Sequence, residues 1–226
     1  MKDFKKTLYS LWKSYGHALL LLYLLIYVPW FAWIDKASIA KQHVVHMALD
    51  DYIPFVEYFI IPYMLWFFYV AVTVIYLLFT DKEDFKKLCC FLFVGMTIFL
   101  IVSTVYPNGQ FLRPSVFARD NVFVSIVEWL WKTDSSTSLF PSIHTYNSIG
   151  VYLAIRYNER LKKKKWVQYI SFVLMVSIIL ATMFLKQHSV FDVLTAIALG
   201  VIMYVFVYGN LRKQQGEEVG NEIVSK

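Results

Sequence analysis

The chain has 226 residues, of which 58% are hydrophobic and 19% aromatic, and its formal net charge is +6. Soluble domains rarely contain so large an apolar fraction, so the composition predicts an integral membrane protein whose partners are membrane lipids rather than nucleic acid. The two cysteines, Cys89 and Cys90, are adjacent within an apolar segment. This placement is unsuited to an internal disulfide or to a zinc site with spaced ligands.

Six apolar segments have about the length that a bilayer requires, roughly 20 residues. In chain order they are residues 18–34, 55–80, 88–106, 141–157, 166–185 and 189–209. The first contains Pro29, Trp30 and Trp33 near its end, and such interfacial aromatic residues favour a retained anchor over a cleaved signal peptide. The sequence therefore predicts an all-α protein with six transmembrane helices, which form one membrane domain over residues 18–209.

The longest connection, residues 107–140, contains a further predicted helix. Apolar residues recur on one face of it at helical spacing, namely Phe123, Ile126, Val127, Leu130 and Trp131. The opposite face carries Ser125 and Glu128, and either Asp120 or Asn121 is suited to cap its start. We expect an amphipathic helix that lies at the membrane surface between spans three and four.

The distribution of lysine and arginine predicts the orientation. Sixteen of the 22 basic residues fall in alternate segments of the chain, which are residues 1–17, 81–87, 156–165 and 210–226. Cytoplasmic segments are enriched in basic residues, so both termini are predicted to be cytoplasmic, and the tail from residue 210 is expected to be disordered. The connections at 107–140 and 186–188 are then predicted to face outside, in a multi-pass protein of the plasma membrane. We interpret Lys162–Lys165 as an orientation signal rather than a specific lipid site.

Three short motifs fall on this predicted outer side. They are Arg113-Pro114, the run Pro141-Ser142-Ile143-His144, and the pair His188 and Asp192. His188 and Asp192 are four residues apart, hence on one helical face, at the start of the last span. Titratable residues at such a depth are costly and usually mark a function, so the three motifs together predict an active site.

An Arg-Pro pair followed by Pro-Ser-x-His and His-x-x-x-Asp resembles the type 2 phosphatidic acid phosphatase superfamily, over about residues 50–209 of the chain. The resemblance implies a metal-independent enzyme, without cofactor, that transfers a phosphoryl group from a lipid phosphate through a phosphohistidine. It also implies six spans with the site facing away from the cytoplasm.

Carried over by position, the resemblance makes His188 the nucleophile, Asp192 its supporting carboxylate and His144 the proton donor to the leaving oxygen. Arg113 and Ser142 would hold the phosphate. General chemistry agrees with these roles, because a neutral imidazole can attack phosphorus and a carboxylate on its other nitrogen stabilises the product. A guanidinium and a helix start supply the donors that a phosphoryl group needs.

Two positions depart from the family pattern. Tyr106 stands where the first motif usually has a lysine, and Thr182 where the third motif usually has an arginine. Lys186 is four residues after Thr182 and on the same helical face, so we expect Lys186 to bind the phosphate that the absent arginine would have held. The alternative is an interfacial lysine that extends to lipid headgroups.

The absent arginine also makes the chain similar to the branch that contains inositol phosphorylceramide synthases, which pass a phosphohead group to a lipid hydroxyl. Hydrolysis and transfer share their first half-reaction, so the motifs leave both open, with hydrolysis of a phosphate monoester or pyrophosphate as the first expectation. A transporter or scaffold with an inactive site is the non-enzymatic alternative.

Two other polar groups are candidates for a site. His43 and His46, with Asp50 and Asp51, have a spacing that a metal site could use, but we interpret them as a hydrated outer connection and expect no metal. Glu57, close to the start of the second span, is a candidate partner for Arg113 or Arg119.

Overall fold

The structure is a computed structural model that describes residues 12–37, 43–134, 136–137 and 140–224. For residues 37 and 210–224 only the backbone is described. Most of the predicted N-terminal segment, residues 1–17, lies outside the described residues.

The described chain is helical with two very short strands. Its elements are α1 (Leu24–Ala37), β1 (His43–Val44), α2 (Ile60–Thr80), α3 (Lys82–Val105), β2 (Asn108–Gly109), α4 (Val122–Thr133), α5 (Ile143–Tyr157), α6 (Lys165–Phe184) and α7 (Val190–Val224). Short 3-10 helices occur at Gly16–Tyr23, Ala48–Asp51 and Glu57–Phe59. β1 and β2 pair in parallel, with His43 opposite Asn108.

Five helical segments of the described chain are long and apolar enough to cross a membrane. They are Trp12–Lys36, Glu57–Thr80, Lys82–Val105, Lys165–Phe184 and Val190–Gly209. These segments correspond to predicted spans one, two, three, five and six, so the prediction of an all-α membrane protein is confirmed. The predicted fourth span corresponds to α5, which has 15 residues. A helix of this length extends about 22 Å, less than the roughly 30 Å of a hydrocarbon core, so the count of six spans stays a prediction.

Helix α5 is the central helix of the bundle. It packs against α2, α3, α6 and α7, and its polar residues Thr145, Asn147 and Ser148 are buried. Two glycines permit its close approach to α3, because a Cβ added at Gly95 would lie 2.0 Å from the Tyr146 ring and one added at Gly150 would lie 2.5 Å from Phe91. A helix enclosed in this way meets its neighbours rather than lipid, which explains why it can be short and polar.

The connections of the bundle gather at its two ends. At one end, the Val56 N–H donates to the Phe184 carbonyl at 3.0 Å and the His43 N–H donates to the Pro107 carbonyl at 2.9 Å. We call residues 43–59, 106–134 and 185–189 the site end. At the opposite end, the Asn158 amide donates to the Asp84 carboxylate at 2.8 Å. The three predicted motifs therefore begin at the same end of the bundle.

The amphipathic helix predicted between spans three and four is present as α4. Asn121 caps it, because its side-chain oxygen accepts the Val124 N–H at 3.0 Å. Val127 and Leu130 are buried against Ile60 and Leu185. Ser125 and Glu128 are exposed, as predicted.

The last helix differs from prediction. The backbone of α7 continues as a helix to Val224, whereas a disordered tail was predicted from residue 210. The segment contains glutamine, glutamate, lysine and arginine, which favour helix, and the two glycines within it do not end the helix.

Candidate active site

The histidine at the centre of the third motif lies in a tight corner between α6 and α7. The N–H groups of Gln187 and His188 both donate to the Thr182 carbonyl, at 2.9 and 3.0 Å. Lys186 turns the chain with a left-handed φ of 55°. The corner holds His188, which is 5% exposed, at the N-terminus of α7.

The carboxylate of Asp192 is positioned by the cap of α7. Its Oδ2 atom accepts the Ser189 N–H at 2.9 Å, while the Ser189 hydroxyl accepts the Phe191 N–H at 3.2 Å, so both side chains cap the start of α7. The same Oδ2 atom lies 3.4 Å from His188 Nδ1. A local capping motif thus places the carboxylate against the imidazole, with the two side chains on one helical face as the sequence predicted.

The second histidine reaches the first across the bundle. Ser142 caps α5, and its N–H donates to the Asp192 carbonyl at 3.2 Å, which joins the starts of α5 and α7. His144 Nδ1 consequently lies 3.4 Å from His188 Nε2. The rings of Tyr63 and Trp66 cover His144, with centroids 4.7 and 4.4 Å from its own.

The guanidinium of Arg113 is the cation of the first motif, and it reaches the same corner. It donates to the backbone carbonyls of Trp131 and Asp134, at 3.1 and 2.8 Å, and to the Gln187 side-chain oxygen at 2.5 Å. The guanidinium also lies over the Trp131 ring, 5.3 Å from its centroid. Its Nε atom is buried and has no hydrogen-bond partner among the described residues.

Three residues at this site were not predicted from the sequence. The Asp134 carboxylate accepts the Tyr63 hydroxyl at 2.7 Å, and the Gln187 amide lies 3.5 Å from the same oxygen. Gln187 is adjacent to His188 in the sequence, so its proximity could have been inferred. Asp134 and Tyr63 are 71 residues apart and belong to no motif, so only the fold shows their contact.

The two histidines face a small cavity of about 40 Å³. Its lining consists of Phe31, Phe99, Asp134, Thr137, Ile143, His144, Gln187 and His188. A volume of this size holds a few water molecules and is too small for a substituted phosphate group, so side chains must move when a substrate enters.

Charge and burial shift two ionisable groups beside the cavity. Burial raises the pKa of the Asp134 carboxyl, and the Tyr63 hydroxyl, His188 and Arg113 oppose this rise because they favour the charged form. Burial lowers the pKa of Arg113, and the nearby Asp134 opposes that change. The carboxylate and the guanidinium therefore each favour the charged form of the other.

The structure does not bring the ammonium of Lys186 to the cavity. Lys186 Nζ donates to the backbone carbonyl of Asp50 at 2.8 Å, and the lysine is 8% exposed. Its left-handed backbone directs the side chain away from the helical face that it would share with Thr182 in a continuous helix. The expectation that Lys186 replaces the absent arginine therefore rests on a helical geometry that the corner does not have.

The candidate metal residues have separate contacts in the structure. Asp50 caps α7, because its two carboxylate oxygens accept the Ser189 hydroxyl at 2.6 Å and the Val190 N–H at 2.7 Å. His46 pairs with Asp51 at 2.9 Å, and the His43 ring stacks on Tyr106. Among the described residues, no group of three or more histidine, cysteine, aspartate or glutamate side chains has a metal-binding arrangement.

Glu57 has the structural partner that the sequence suggested. Its carboxylate lies 3.2 Å from Arg119 and accepts the Asn121 amide at 3.0 Å. Because Asn121 also caps α4, this pair fixes the start of the amphipathic helix against the 3-10 helix Glu57–Phe59, which precedes α2.

Comparison with known proteins agrees with the resemblance drawn from the three motifs. Residues 110–215 match the family model of the PAP2 superfamily, which is the type 2 phosphatidic acid phosphatase superfamily. The matched segment contains all six predicted site residues, namely Arg113, Ser142, His144, Lys186, His188 and Asp192. Neither a curated protein nor a solved structure matches the chain.

Proposed function

We propose that the protein, whose residues 110–215 match the PAP2 superfamily, is a membrane enzyme that cleaves a lipid phosphate ester through a phosphohistidine on His188. Members of this superfamily are phosphatases and phosphotransferases of lipid-like substrates. The observation that carries the proposal is the line of three side chains in which Asp192 and His144 each lie 3.4 Å from one nitrogen of His188.

The geometry supports a nucleophilic role for His188. A proton on Nδ1 would be donated to Asp192, which leaves the lone pair of Nε2 free for attack on phosphorus. The N–P bond then forms at Nε2 while the P–O bond to the lipid breaks. Asp192, which is fully buried, stabilises the positive charge that develops on the imidazole.

His144 is placed to donate a proton in the first step and to accept one in the second. Its Nδ1 atom lies beside the attacking nitrogen, so a protonated His144 donates to the leaving lipid oxygen, and the lipid departs as an alcohol. The neutral His144 then takes the proton of the acceptor hydroxyl as the acceptor oxygen bonds to phosphorus and the N–P bond breaks. Ser142 supports this arrangement, since it caps α5 and holds α5 against α7.

The acceptor is proposed to be water, which makes the enzyme a hydrolase of lipid phosphate esters. Transfer to a lipid or polyol hydroxyl is the second candidate, and the site favours it in one respect. Phe31, Phe99 and Ile143 form the apolar part of the cavity lining, which a lipid acceptor could contact.

The proposed setting is the plasma membrane. Six spans, with α5 crossing inside the bundle, would leave both termini in the cytoplasm and the site end outside. The basic residues support this orientation, because Arg156 and Lys162–Lys165 lie at the opposite end of the bundle from His188. A site near the interface gives both water and the ester bond of a lipid access to the histidines.

Release of the lipid alcohol tests the proposal, because hydrolysis and transfer share this product. Purified full-length protein in liposomes is incubated with a panel of lipid phosphate esters, and wild type is compared with His188→Ala. The control is His46→Ala, an exposed histidine of the site end outside the cavity.

We expect release by wild type and His46→Ala and loss of release in His188→Ala, with an acid-labile phosphorylated form in wild type and His46→Ala but not in His188→Ala. Equal release by wild type and His188→Ala would show that His188 is not the nucleophile. No release by any of the three proteins would favour the transporter or scaffold alternative.

A further inference from the structure

The cavity beside the two histidines contains a carboxylate that the reaction above does not use. Asp134 lines the cavity together with His144 and His188. Its side chain is held there by the Tyr63 hydroxyl at 2.7 Å. A negative charge at this position is unexpected in a site for phosphate, because it repels the group that the site must bind.

Positive charge is scarce at the same place. Among the residues that the structure describes, neither lysine nor arginine lines the cavity. Arg113 lies behind Asp134 and Gln187, and three of its hydrogen bonds go to protein oxygens. Lys186 is bound to the Asp50 carbonyl instead.

Several other side chains at the site are neutral and add no positive charge. Gln187 is 2% exposed, and its amide lies between Arg113 and Asp134. Tyr106 and Thr182 provide no cation either, since Tyr106 stacks on His43 and the Thr182 hydroxyl donates to the Ile179 carbonyl. Arg113 and Asp134 have opposite charges, so together they add little net positive charge for the phosphate beyond that of a protonated His144.

We infer that this site selects a phosphate group with a single negative charge, a phosphodiester between a lipid and a headgroup, and that Asp134 is a residue that sets this specificity. The inference rests on the proposed function and names its substrate class. A phosphate monoester carries up to two negative charges near neutral pH, and a pyrophosphate more, so Asp134 disfavours both more strongly than it disfavours a diester.

The reaction balances for a phosphodiester. His188 Nε2 bonds to phosphorus as the P–O bond to the lipid breaks, and the lipid leaves as an alcohol with the proton from His144. The headgroup phosphate stays on His188. A hydroxyl acceptor then bonds to phosphorus, its proton passes to His144, and the N–P bond breaks.

The first experiment compares substrate classes with one product as the readout. Full-length protein in liposomes is given phosphatidate, ceramide phosphate or a polyprenyl phosphate or pyrophosphate as multiply charged substrates. Phosphatidylglycerol, phosphatidylethanolamine and phosphatidylinositol are the phosphodiesters. We expect lipid alcohol to be released from at least one phosphodiester about tenfold faster than from every multiply charged lipid. Faster release from any multiply charged lipid would overturn the inference.

The second experiment removes the charge of Asp134. Asp134→Asn keeps an oxygen that can accept the Tyr63 hydroxyl and leaves intact the backbone carbonyl that Arg113 binds. We expect its ratio of diester to monoester turnover to fall by about tenfold or more. Asp120→Asn is the control, because Asp120 is exposed in the same connection and the change removes an equal charge. An unchanged ratio in Asp134→Asn, or an equal fall in Asp120→Asn, would contradict the assignment.

A second variant tests the same inference if Asp134→Asn does not fold. Tyr63→Phe removes the hydroxyl that favours the charged form of the Asp134 carboxyl. The ratio of diester to monoester turnover should therefore fall as in Asp134→Asn, but by a smaller factor. An unchanged ratio would contradict the role of Asp134 as the selecting group. Failure of the proposed function looks different. In that case wild type and His188→Ala release lipid alcohol equally, or neither releases any, whatever the charge of the phosphate.

Discussion

The two histidines and their electrostatic surroundings are built in different ways. His144 and His188 each lie within a turn of a helix start, and caps formed by Ser142, Ser189 and Asp192 set their positions. The surroundings, Arg113 and Asp134 above all, come from the connection between α3 and α5 and are held by contacts that are distant in sequence.

Local caps therefore position the residues proposed to react, whereas distant contacts position the residues proposed to select the substrate. The caps require only residues within a few positions of each histidine, so the proposed nucleophile and proton donor can be kept while the connections change. In the proposed reaction, the connections decide which charge the phosphate meets. The segment that matches the PAP2 superfamily thus contains the pair His144 and His188, and Arg113, Asp134 and Gln187 lie around this pair.

The largest effect is expected within the histidine corner, from Asp192→Asn. The amide cannot accept the imidazole proton as a carboxylate does, so turnover should fall by about a thousandfold or more, as when an orienting aspartate becomes its amide elsewhere. Asp81→Asn is the matched control, since Asp81 caps α3 at the opposite end of the bundle. Turnover by Asp192→Asn close to that of Asp81→Asn would remove the carboxylate from the mechanism.

The next effect concerns the surroundings. Arg113→Lys keeps the charge but cannot reproduce the guanidinium contacts with Trp131, Asp134 and Gln187, so kcat/KM should fall about a hundredfold. Arg119→Lys is the control, because Arg119 pairs with Glu57 away from the cavity. Steady-state kinetics with one lipid substrate distinguish the two variants. Full activity of Arg113→Lys would show that charge alone, without the fixed geometry, is sufficient.

The sequence predicts the features that depend on local spacing, but not those that depend on contacts between distant residues. Helix α4 and its Asn121 cap depend on spacing within 12 residues, and they are present as predicted. Asp192 and His188 share a helical face, which spacing also predicts. In contrast, Lys186 was placed by continuing a helix through residues 182–186, and the chain turns at Lys186 instead. The contact of Asp134 with Tyr63 depends on folding of the whole connection, and spacing carries no information on it.

Helix α5 shows a second limit of sequence patterns. The sequence predicts its motif and a start at Pro141 or just after it, but not its burial, because hydropathy does not distinguish a helix in contact with lipid from one enclosed by other helices. Gly95 and Gly150 mark the enclosure, since each leaves room for an aromatic ring of the neighbouring helix.

Asp50 links the two regions, and its replacement should have an intermediate effect. Asp50→Asn keeps only one accepting oxygen for the Ser189 hydroxyl and the Val190 N–H, so α7 loses part of its cap. We expect the free energy of unfolding to fall by about 1–2 kcal/mol and kcat to fall about tenfold with KM unchanged. Thermal unfolding and kinetics, with the exposed neighbour Asp51→Asn as control, measure both. A higher KM at constant kcat would instead indicate that Asp50 contacts the substrate.

The smallest loss of turnover is expected for Lys186→Ala. This variant tests whether Lys186 supports the histidine corner or belongs to the electrostatic surroundings of the histidines. Lys186→Ala removes the hydrogen bond to the Asp50 carbonyl but leaves the corner bonds to Thr182, so stability should fall by about 1 kcal/mol and turnover by less than in Asp50→Asn. Lys132→Ala, an exposed lysine of α4, should have no effect. If Lys186 bound phosphate, its loss would raise KM steeply, most of all for multiply charged lipids. Such a result would move Lys186 from the scaffold of the corner into the group that sets substrate charge, together with Asp134.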